Sequence, residues 1–279
     1  MQRERIADDV IVFVSDLYAQ ATATVIVTPE GAILFDTLLY PDETRWIKRF
    51  VETRLNSRVE VVILSHHHAD HSTGTCFFSG AQVIAHQRCY DLLNGRGRES
   101  LENAKRTSPE LRDIEIVLPT QTFSSGRFEY RFGNKTLEMW LTPGHSSDSI
   151  SCLIREDRIL LSADTVLPVP YFIDGNYDEL MTSLLSLRGD SYEHIVQGHG
   201  DIVLRGEVEE KITSDIEYLE RLRDAVDKAL LSQNPQAALD NIDIESCGKS
   251  RILLNGTAPR LHRLNVATLA SHRREQVQL

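Results

Sequence analysis

The stretch SHHHADHSTG places four histidines and one aspartate within six consecutive positions. An apolar run, VEVVILS, leads into it and predicts a buried strand, and ADHSTGTCFF after it predicts a turn into a helix. On an extended backbone, His66 and His68 point to one side and His67 to the other. Two imidazoles on one side can bind one metal ion, while Asp70 and His71 beyond the turn can bind a second. The fold must therefore bring further ligands to the end of this strand.

Three later residues follow predicted strands in the same way. They are His145 in TPGHSSDS, Asp164 in LLSADT and His199 in VQGHGD, each beside glycine or serine. Loops at strand ends are where binding and catalytic residues commonly gather. Imidazole and carboxylate together suit Zn²⁺, Fe²⁺ or Mn²⁺, and the lack of thiolate ligands argues against a purely structural zinc site.

The rest of the pattern predicts an α/β fold. A β-meander is predicted from VIVFVS, ATVIVT and ILFDT, and the spacing of apolar residues in DETRWIKRFVETRL predicts a helix. A long amphipathic helix is predicted at 207–231, followed by a shorter helical tail that contains LHRLNVATLASH. The other predicted strands are AQVIAH, IEIVL, TLEMWLT, SISCLIR, RILLSAD and HIVQGHG. Strands that alternate with helices indicate packed layers of sheet and helix.

Two segments are open to two interpretations. The polar, helix-prone segment 90–113 is either a lid or a solvated excursion. The apolar segment LPVPYFI, residues 167–173, follows Asp164 closely and either lines a substrate pocket with Tyr171 and Phe172 or belongs to the core. If it lines the pocket, the substrate has an apolar part.

Charge and composition restrict the partners. The chain has 41 acidic and 30 basic residues, a net charge of -11, which disfavours nucleic acid and anionic membranes as partners. The N-terminal MQRERIADDVIVFVSDLY has too short an apolar run for a secretion signal or a membrane span, so we expect a cytoplasmic protein. The four irregularly spaced cysteines are expected to be reduced and mostly buried. The expected partner is a small-molecule substrate, and a homodimer is left open.

These residues resemble the metallo-β-lactamase superfamily. Its HxHxDH signature is matched by the first cluster and its later single ligands by the three strand-end residues, so the resemblance covers about residues 10–205. It implies an α/β protein with a four-layer αββα sandwich. It also implies one domain over 1–279, with a catalytic core at about 10–205 and a C-terminal helical extension at about 206–279.

The resemblance also implies a role for each ligand. One metal would be bound by His66, His68 and His145, and the other by Asp70, His71 and His199. Asp164 would bridge the two metals, and Asp36 in LFDT matches a position that supports the ligands from behind. The histidines outside this set are expected not to be ligands: His67, His86, His194, His262 and His272.

The implied function is hydrolysis. Two divalent ions, most simply zinc with iron or manganese as alternatives, would hold a bridging hydroxide that attacks an ester, thioester or lactone. Asp70 would be catalytic, orienting the hydroxide and carrying its proton to the leaving group. Glyoxalase II enzymes, which hydrolyse thioesters, share the full ligand set.

Other branches of the superfamily fit less well. True metallo-β-lactamases usually carry Cys or Ser where this chain has Asp164, which leaves only weak β-lactam side activity open. Acyl-homoserine lactonases often have Tyr where this chain has Leu167. Persulfide dioxygenases bind one iron through the equivalents of His66, His145 and Asp164 and are the main alternative. A member that only binds a ligand would lack some metal-binding residue, and none is missing here.

Overall fold

The computed structural model describes residues 1–277, in which two β-sheets lie face to face. The first sheet has seven strands in chain order, antiparallel up to its fourth strand and parallel from there to its seventh. Its strands are β1 Gln2–Ala7, β2 Val10–Val14, β3 Thr22–Thr28, β4 Gly31–Phe35, β5 Val59–Ile63, β6 Gln82–His86 and β7 Gln121–Phe123.

The second sheet has six strands. They are β8 Arg127–Phe132, β9 Lys135–Leu141, β10 Ile150–Ile154, β11 Ile159–Ala163, β12 His194–Gln197 and β13 Val203–Leu204. The order across the sheet is β13-β12-β11-β10-β9-β8, and only one neighbouring pair, β11 with β12, is parallel.

The central core lies between the two sheets, and alternation along the strands decides which residues enter it. In β2, Val10, Val12 and Val14 face the second sheet, whereas Ile11 and Phe13 face the outer helices. Because successive side chains of a strand point to opposite faces, a strand covered on both sides reads as a continuous apolar run.

Helices cover both outer faces. Ile47 and Val51 of the helix Pro41–Arg54 pack on the first sheet, and Ile212 and Leu219 of the helix Val208–Leu230 pack on the second. The layers therefore run helix, sheet, sheet, helix, and the predicted αββα sandwich with C-terminal helices is confirmed. The helices are α1 Pro41–Arg54, α2 Ala69–Ser72, α3 Gln87–Leu92, α4 Arg98–Lys105, α5 Tyr177–Ser186, α6 Val208–Leu230, α7 Pro235–Asp240, α8 Leu253–Gly256 and α9 Ala258–Val277.

The strand predicted at IEIVL was wrong. Residues 114–118 have no regular secondary structure, and the seventh strand begins only at Gln121. Ile114 packs with Leu101 and Leu111 in a small separate cluster, and Ile116 packs beside it. Its apolar side chains are buried or half-buried in a connection, and such burial does not distinguish the segment from a strand.

Strands β1 and β8 and helix α5 are also present, although the sequence pattern did not predict them. Strand β8 reads RFEYRF, in which every second residue is exposed, and it lies at the edge of its sheet. Helix α5 begins after Asn176, whose side chain accepts hydrogen bonds from the backbone N–H groups of Asp178 and Glu179. This is a standard N-cap, so it could have been found from the sequence.

The four cysteines are free thiols, and three of them are buried, as predicted. Within residues 1–277, no helix combines the length and the apolar character needed to cross a lipid bilayer.

Candidate metal centre

The histidine loop after β5 is held by two buried carboxylates. Asp36 follows β4 and accepts hydrogen bonds from Ser65 N at 2.8 Å, Ser65 Oγ at 2.7 Å and His71 Nδ1 at 2.9 Å. Asp148 accepts from His67 N at 2.8 Å and pairs with His67 Nδ1 at 3.0 Å. Asp36 therefore supports a predicted ligand from behind, and His67 anchors the loop through its hydrogen bonds to Asp148.

The first group of donors consists of His66, His68, His145 and Asp164. His68 Nδ1 lies 3.0 Å from His66 Nε2 and 3.0 Å from His145 Nε2. Asp164 Oδ2 lies 3.0 Å from His145 Nε2 and 4.0 Å from His66 Nε2. Three imidazole nitrogens and one carboxylate oxygen thus converge on one point.

The second group consists of Asp70, His71 and His199. His199 Nε2 lies 3.3 Å from Asp70 Oδ2, and His71 Nε2 lies 3.7 Å from the same oxygen. Asp164 faces this group as well, because its Oδ1 is 3.2 Å from His71 Nε2 and its Oδ2 is 3.5 Å from His199 Nε2. The structure thus brings all seven predicted ligands together, with Asp164 between the two groups.

Each of the five histidines has its outward nitrogen held by an oxygen. His145 Nδ1 donates to Tyr171 O at 2.8 Å and His199 Nδ1 to Ala19 O at 2.9 Å. The other outward partners are Ser65 Oγ for His66, Asp36 Oδ2 for His71 and Asp174 Oδ2 for His68. An imidazole that donates from its outward nitrogen presents a lone pair on the other. The inward nitrogens of the five histidines therefore gather around the carboxylates of Asp70 and Asp164, and each offers a lone pair when it is unprotonated.

The electrostatics of the two groups differ. Burial lowers the pKa of His66 and lowers the pKa of His145 to about 4. Burial acts in the same direction on His71 and His199, but Asp164 and Asp70 outweigh it and raise the pKa of His199 to about 10. Positive charge is therefore favoured between the second pair of histidines and the two carboxylates, either as protons or as a cation.

The donor set fits divalent metal ions. His71 Nε2 and Asp164 Oδ1 are both buried, and neither has a hydrogen-bond partner among the described residues. The two atoms lie 3.2 Å apart, and two facing acceptors are costly unless a proton or a metal cation lies between them. Imidazole and carboxylate are the ligand types that first-row divalent metals prefer.

A third group, formed by His67, His68 and Asp174, also has its atoms close together but is already charge-balanced. Arg96 Nη2 lies 2.6 Å from Asp174 Oδ1, and Asp174 Oδ2 lies 2.8 Å from His68 Nε2. The guanidinium supplies the positive charge that a metal ion would bring. This group therefore supports the ligand His68 from behind.

Sequence reasoning missed Asp174, Asp148 and Arg96. Asp174 follows LPVPYFI directly, so an acidic residue so close to Asp164 in the chain was an available signal. Arg96 belongs to a π-helical turn, Leu93–Gly97, inside the segment predicted to be a lid or an excursion. Its contact shows that this segment reaches the metal centre.

The segment 167–173 belongs in part to the core, and its role in lining a substrate pocket stays a prediction. Val169 and Phe172 are buried in the core with α5 and α6, and Phe172 is 0% exposed, so the pocket role predicted for Phe172 was wrong. Tyr171 is only partly buried, and its ring centroid lies 6.1 Å from that of His145. Its backbone also positions that histidine, because the Tyr171 carbonyl accepts the Nδ1–H.

The other histidines lie apart from these groups. His262 is buried, accepts a hydrogen bond from Tyr218 Oη at its Nδ1 and pairs with Ile242 O through its Nε2. In the part of the chain that the structure describes, neither it nor His86, His194 or His272 belongs to a group that could hold a metal ion. His86 Nε2 and His194 Nδ1 are buried without a hydrogen-bond partner, which the sequence did not predict.

Comparison with known proteins agrees with this geometry. A family model for the metallo-beta-lactamase superfamily matches residues 18–199, a range that holds all seven candidate ligands. The chain is 25% identical over 202 residues to the Beta-lactamase-like protein 2 homolog of Caenorhabditis elegans, covering 72% of this chain and 62% of that protein. It is 27% identical over 192 residues to Thioesterase pkgB of Emericella nidulans, covering 66% of this chain and 47% of that protein. The chain thus spans about half to three fifths of the length of these relatives.

A solved structure shows the same fold. A metallo-beta-lactamase family protein from Thermus thermophilus matches with a TM-score of 0.68 at 16% identity. The match covers 95% of this chain and 93% of that one, so it includes the C-terminal helices as well as the sandwich.

Proposed function

The chain belongs to the metallo-β-lactamase superfamily, a superfamily of metallo-hydrolases, and from that premise we propose that it cleaves an ester or thioester of a small molecule with two divalent metal ions bound. The observation that carries the proposal is the set of five imidazole nitrogens that gather around Asp70 and Asp164, each with its opposite ring nitrogen held by an oxygen. A site with five imidazoles and two carboxylates in this arrangement is built to hold more than one cation.

Each donor group would hold one ion. His66, His68 and His145 would bind the first, the second group would bind the other, and Asp164 would contact both. We propose zinc, because imidazole and carboxylate ligands suit it, and Fe²⁺ or Mn²⁺ would fit the same donors. When bound, such ions lower the pKa of a water molecule and polarise the carbonyl group of a substrate.

We assign the proton transfer to Asp70. Its side chain is 16% exposed, whereas that of Asp164 is 4% exposed. The neighbouring histidines outweigh the effect of burial and lower the pKa of Asp70, so it is a carboxylate at neutral pH. It can accept a proton from the attacking water and return it to the leaving oxygen or sulfur.

The substrate is proposed to carry an apolar part. Leu17 and Tyr18 are exposed on the loop before β3, and the Asp70 carboxylate is the largest influence that raises the pKa of Tyr18. Tyr171 lies beside His145, and Ile173 is exposed two residues further on. Apolar and aromatic side chains of this kind are typical linings of small-molecule sites. The thioesterase among the relatives supports a thioester, and a lactone stays an alternative.

Two other activities are the alternatives. A persulfide dioxygenase would bind one iron through His66, His145 and Asp164, whereas we propose that Asp70, His71 and His199 bind a second ion, so metal content separates the two. A dedicated β-lactamase would usually have Cys or Ser at position 164, and here the residue is Asp. The four free thiols agree with the proposal of a cytoplasmic enzyme.

Metal content and a substrate panel test the proposal together. Protein purified without added metal should contain close to two equivalents of a divalent metal. It should hydrolyse at least one member of a panel of thioesters, aryl esters and lactones without consuming oxygen. One equivalent of iron, with uptake of O₂ in the presence of a persulfide, would support the dioxygenase instead. Metal binding without turnover of any member would leave hydrolysis unsupported.

A further inference from the structure

A cavity lies outside the metal centre, between the sandwich and the segment that leads to α8. Its volume is about 320 Å³, and its lining includes Gln197, Gly200, Lys211 and Lys249. It contains none of the seven candidate metal ligands, but Gly200 directly follows one of them, His199. The proposed hydrolysis leaves these residues without a role.

Two buried lysines share one carboxylate at this cavity. Lys211 Nζ lies 2.5 Å from Asp215 Oδ2, and Lys249 Nζ lies 2.6 Å from Asp215 Oδ1. The carboxylate is fully buried, and the two lysine side chains are 16% and 6% exposed. Two ammonium groups against one carboxylate leave one positive charge unbalanced in a buried place, which is unfavourable without a counterion.

Each lysine also has an N–H donor without an acceptor among the contacts described. Besides Asp215, Lys211 Nζ donates to Leu167 O at 2.6 Å, and Lys249 Nζ donates to Ser214 Oγ at 2.9 Å. An ammonium group has three N–H donors, so each lysine keeps one for another acceptor. Asp201 also borders the cavity, but it is exposed to solvent, which screens its charge.

An independent observation comes from Gln197. This residue is only 5% exposed, and its Nε2 donates to Asp201 O at 2.6 Å. Its Oε1 is buried and has no hydrogen-bond partner among the described residues. A buried amide oxygen without a donor is rare, and it indicates a missing hydrogen-bond donor at this cavity.

We propose that this cavity binds a small anion, a carboxylate or phosphate group, whose oxygens accept hydrogen bonds from Lys211 and Lys249. A hydroxyl or N–H on the same ligand donates to Gln197 Oε1. An anion balances the extra charge and uses both spare donors. Burial, followed by the neighbouring Lys249, lowers the pKa of Lys211 to about 8 despite Asp215, so the ammonium gains from a further negative partner.

The cavity shares a wall with the metal centre. Gly200 N donates to Gln20 O at 2.9 Å, and His199 Nδ1 donates to the preceding carbonyl, Ala19 O, at 2.9 Å. A bound anion therefore lies next to the backbone that positions a metal ligand. The anionic group has two possible sources, the substrate itself or a separate small anion.

Direct binding measurements test the site. Inorganic phosphate and acetate are titrated calorimetrically into the metal-loaded protein, its Lys249→Met and Asp215→Asn variants and a Lys228→Met control. Lys228 is exposed on the same helix as Lys211. We expect Lys249→Met to weaken binding about tenfold or more, because it removes a charged hydrogen bond. Asp215→Asn should tighten binding, and Lys228→Met should leave it unchanged.

The opposite directions separate a binding site from a structural ion cluster. A cluster with only a structural role predicts lower thermal stability in both variants and no change in anion affinity. Equal affinity of the wild type and Lys249→Met, or no binding of either anion, would overturn the proposal. If Asp215→Asn does not fold, Gln197→Met replaces it and should weaken phosphate, which carries a donor, more than acetate.

Substrate kinetics then identify the source of the anion, and this part of the test rests on the proposed function. A thioester substrate with a terminal carboxylate is compared with its methyl ester in the wild type and in Lys249→Met. A preference for the carboxylate that disappears in the variant identifies a substrate group. If phosphate binds but no preference exists, the ligand is a separate anion. Phosphate binding does not depend on turnover, so this site can fail or succeed independently of the hydrolase proposal.

Discussion

His68 donates its Nε2–H to Asp174 Oδ2 across 2.8 Å, while its Nδ1 faces His66 and His145. The two residues are 106 positions apart in the chain. Asp174 therefore fixes which nitrogen of His68 carries the lone pair, and Arg96 holds Asp174 in turn at 2.6 Å.

Replacement of Asp174 should weaken metal binding. We expect Asp174→Ala to lower the affinity for one metal equivalent by about 10 to 100-fold, as is usual when the partner of a ligating histidine is lost. Asp174→Asn should lower the metal affinity less, because its amide oxygen can still accept the Nε2–H of His68. Competition with a chromophoric chelator measures the affinity. Asp178→Asn, an exposed change a few residues away, is the matched control, and equal affinities in all three variants would contradict the positioning role.

Asp70→Asn should separate metal binding from turnover. The amide cannot accept a proton, so we expect kcat to fall by about 10² to 10⁴-fold. Metal analysis of the same sample shows whether the second ion is still bound. A variant that keeps both metals and full kcat would exclude Asp70 as the group that carries the proton.

Metal removal should destabilise the fold. Without cations, the buried carboxylate of Asp164 and the partly buried one of Asp70 both lie against His199 Nε2, with only histidines to balance them. Returning metal at about 100 times its dissociation constant should stabilise the protein by about 2.7 kcal/mol. Calorimetry with and without a chelator measures this difference. In His145→Ala the stabilisation by metal should be smaller. If the chelator does not change the unfolding temperature of the wild type, the protein has no resident metal ions.

Asn265 links the C-terminal helix to the metal centre. It is fully buried on α9, donates from Nδ2 to Pro170 O at 2.6 Å and accepts from Phe172 N at 3.4 Å. These two residues flank Tyr171, whose carbonyl receives the Nδ1–H of His145.

We therefore expect Asn265→Ala to cost about 1 to 3 kcal/mol of unfolding free energy, because it leaves buried backbone groups unpaired. It should also weaken metal binding, measured as for Asp174. The exposed neighbour Arg263 provides the control, Arg263→Ala. A loss of stability with unchanged metal affinity would restrict Asn265 to a structural role.

Lys211 should give the stability a specific pH dependence. Burial and Lys249 lower its pKa to about 8 in the folded chain, against an ordinary value of about 10.4. Between these values the unfolded chain binds a proton that the folded chain does not, so this group makes the unfolding free energy rise with pH. Denaturant unfolding at pH 7.5 to 10 measures the slope. Lys211→Met should lack this contribution. If the unfolding free energies of the wild type and Lys211→Met change with pH at the same slope, the prediction is contradicted.

The sequence by itself determined which side chains can bind metal and which strand residues face the core. His66, His68 and His71 are close in the chain, so their proximity follows from one loop. Period-two alternation within β2 and its neighbours determined which residues enter the core, because a strand has only two faces. Local chemistry and short-range geometry suffice for both.

Only the tertiary structure decided what holds those ligands. The acceptors Ala19 and Tyr171 could not be assigned from the sequence, since each contacts a histidine from a distant part of the chain. Asp174 could be noticed as an acidic residue near Asp164, but its pairing with His68 could not. The pairing of Lys249 with Asp215, 34 residues away, arises in the same way. Such contacts depend on how loops and helices pack. That packing results from many weak interactions across the whole molecule, so a local sequence pattern does not predict it.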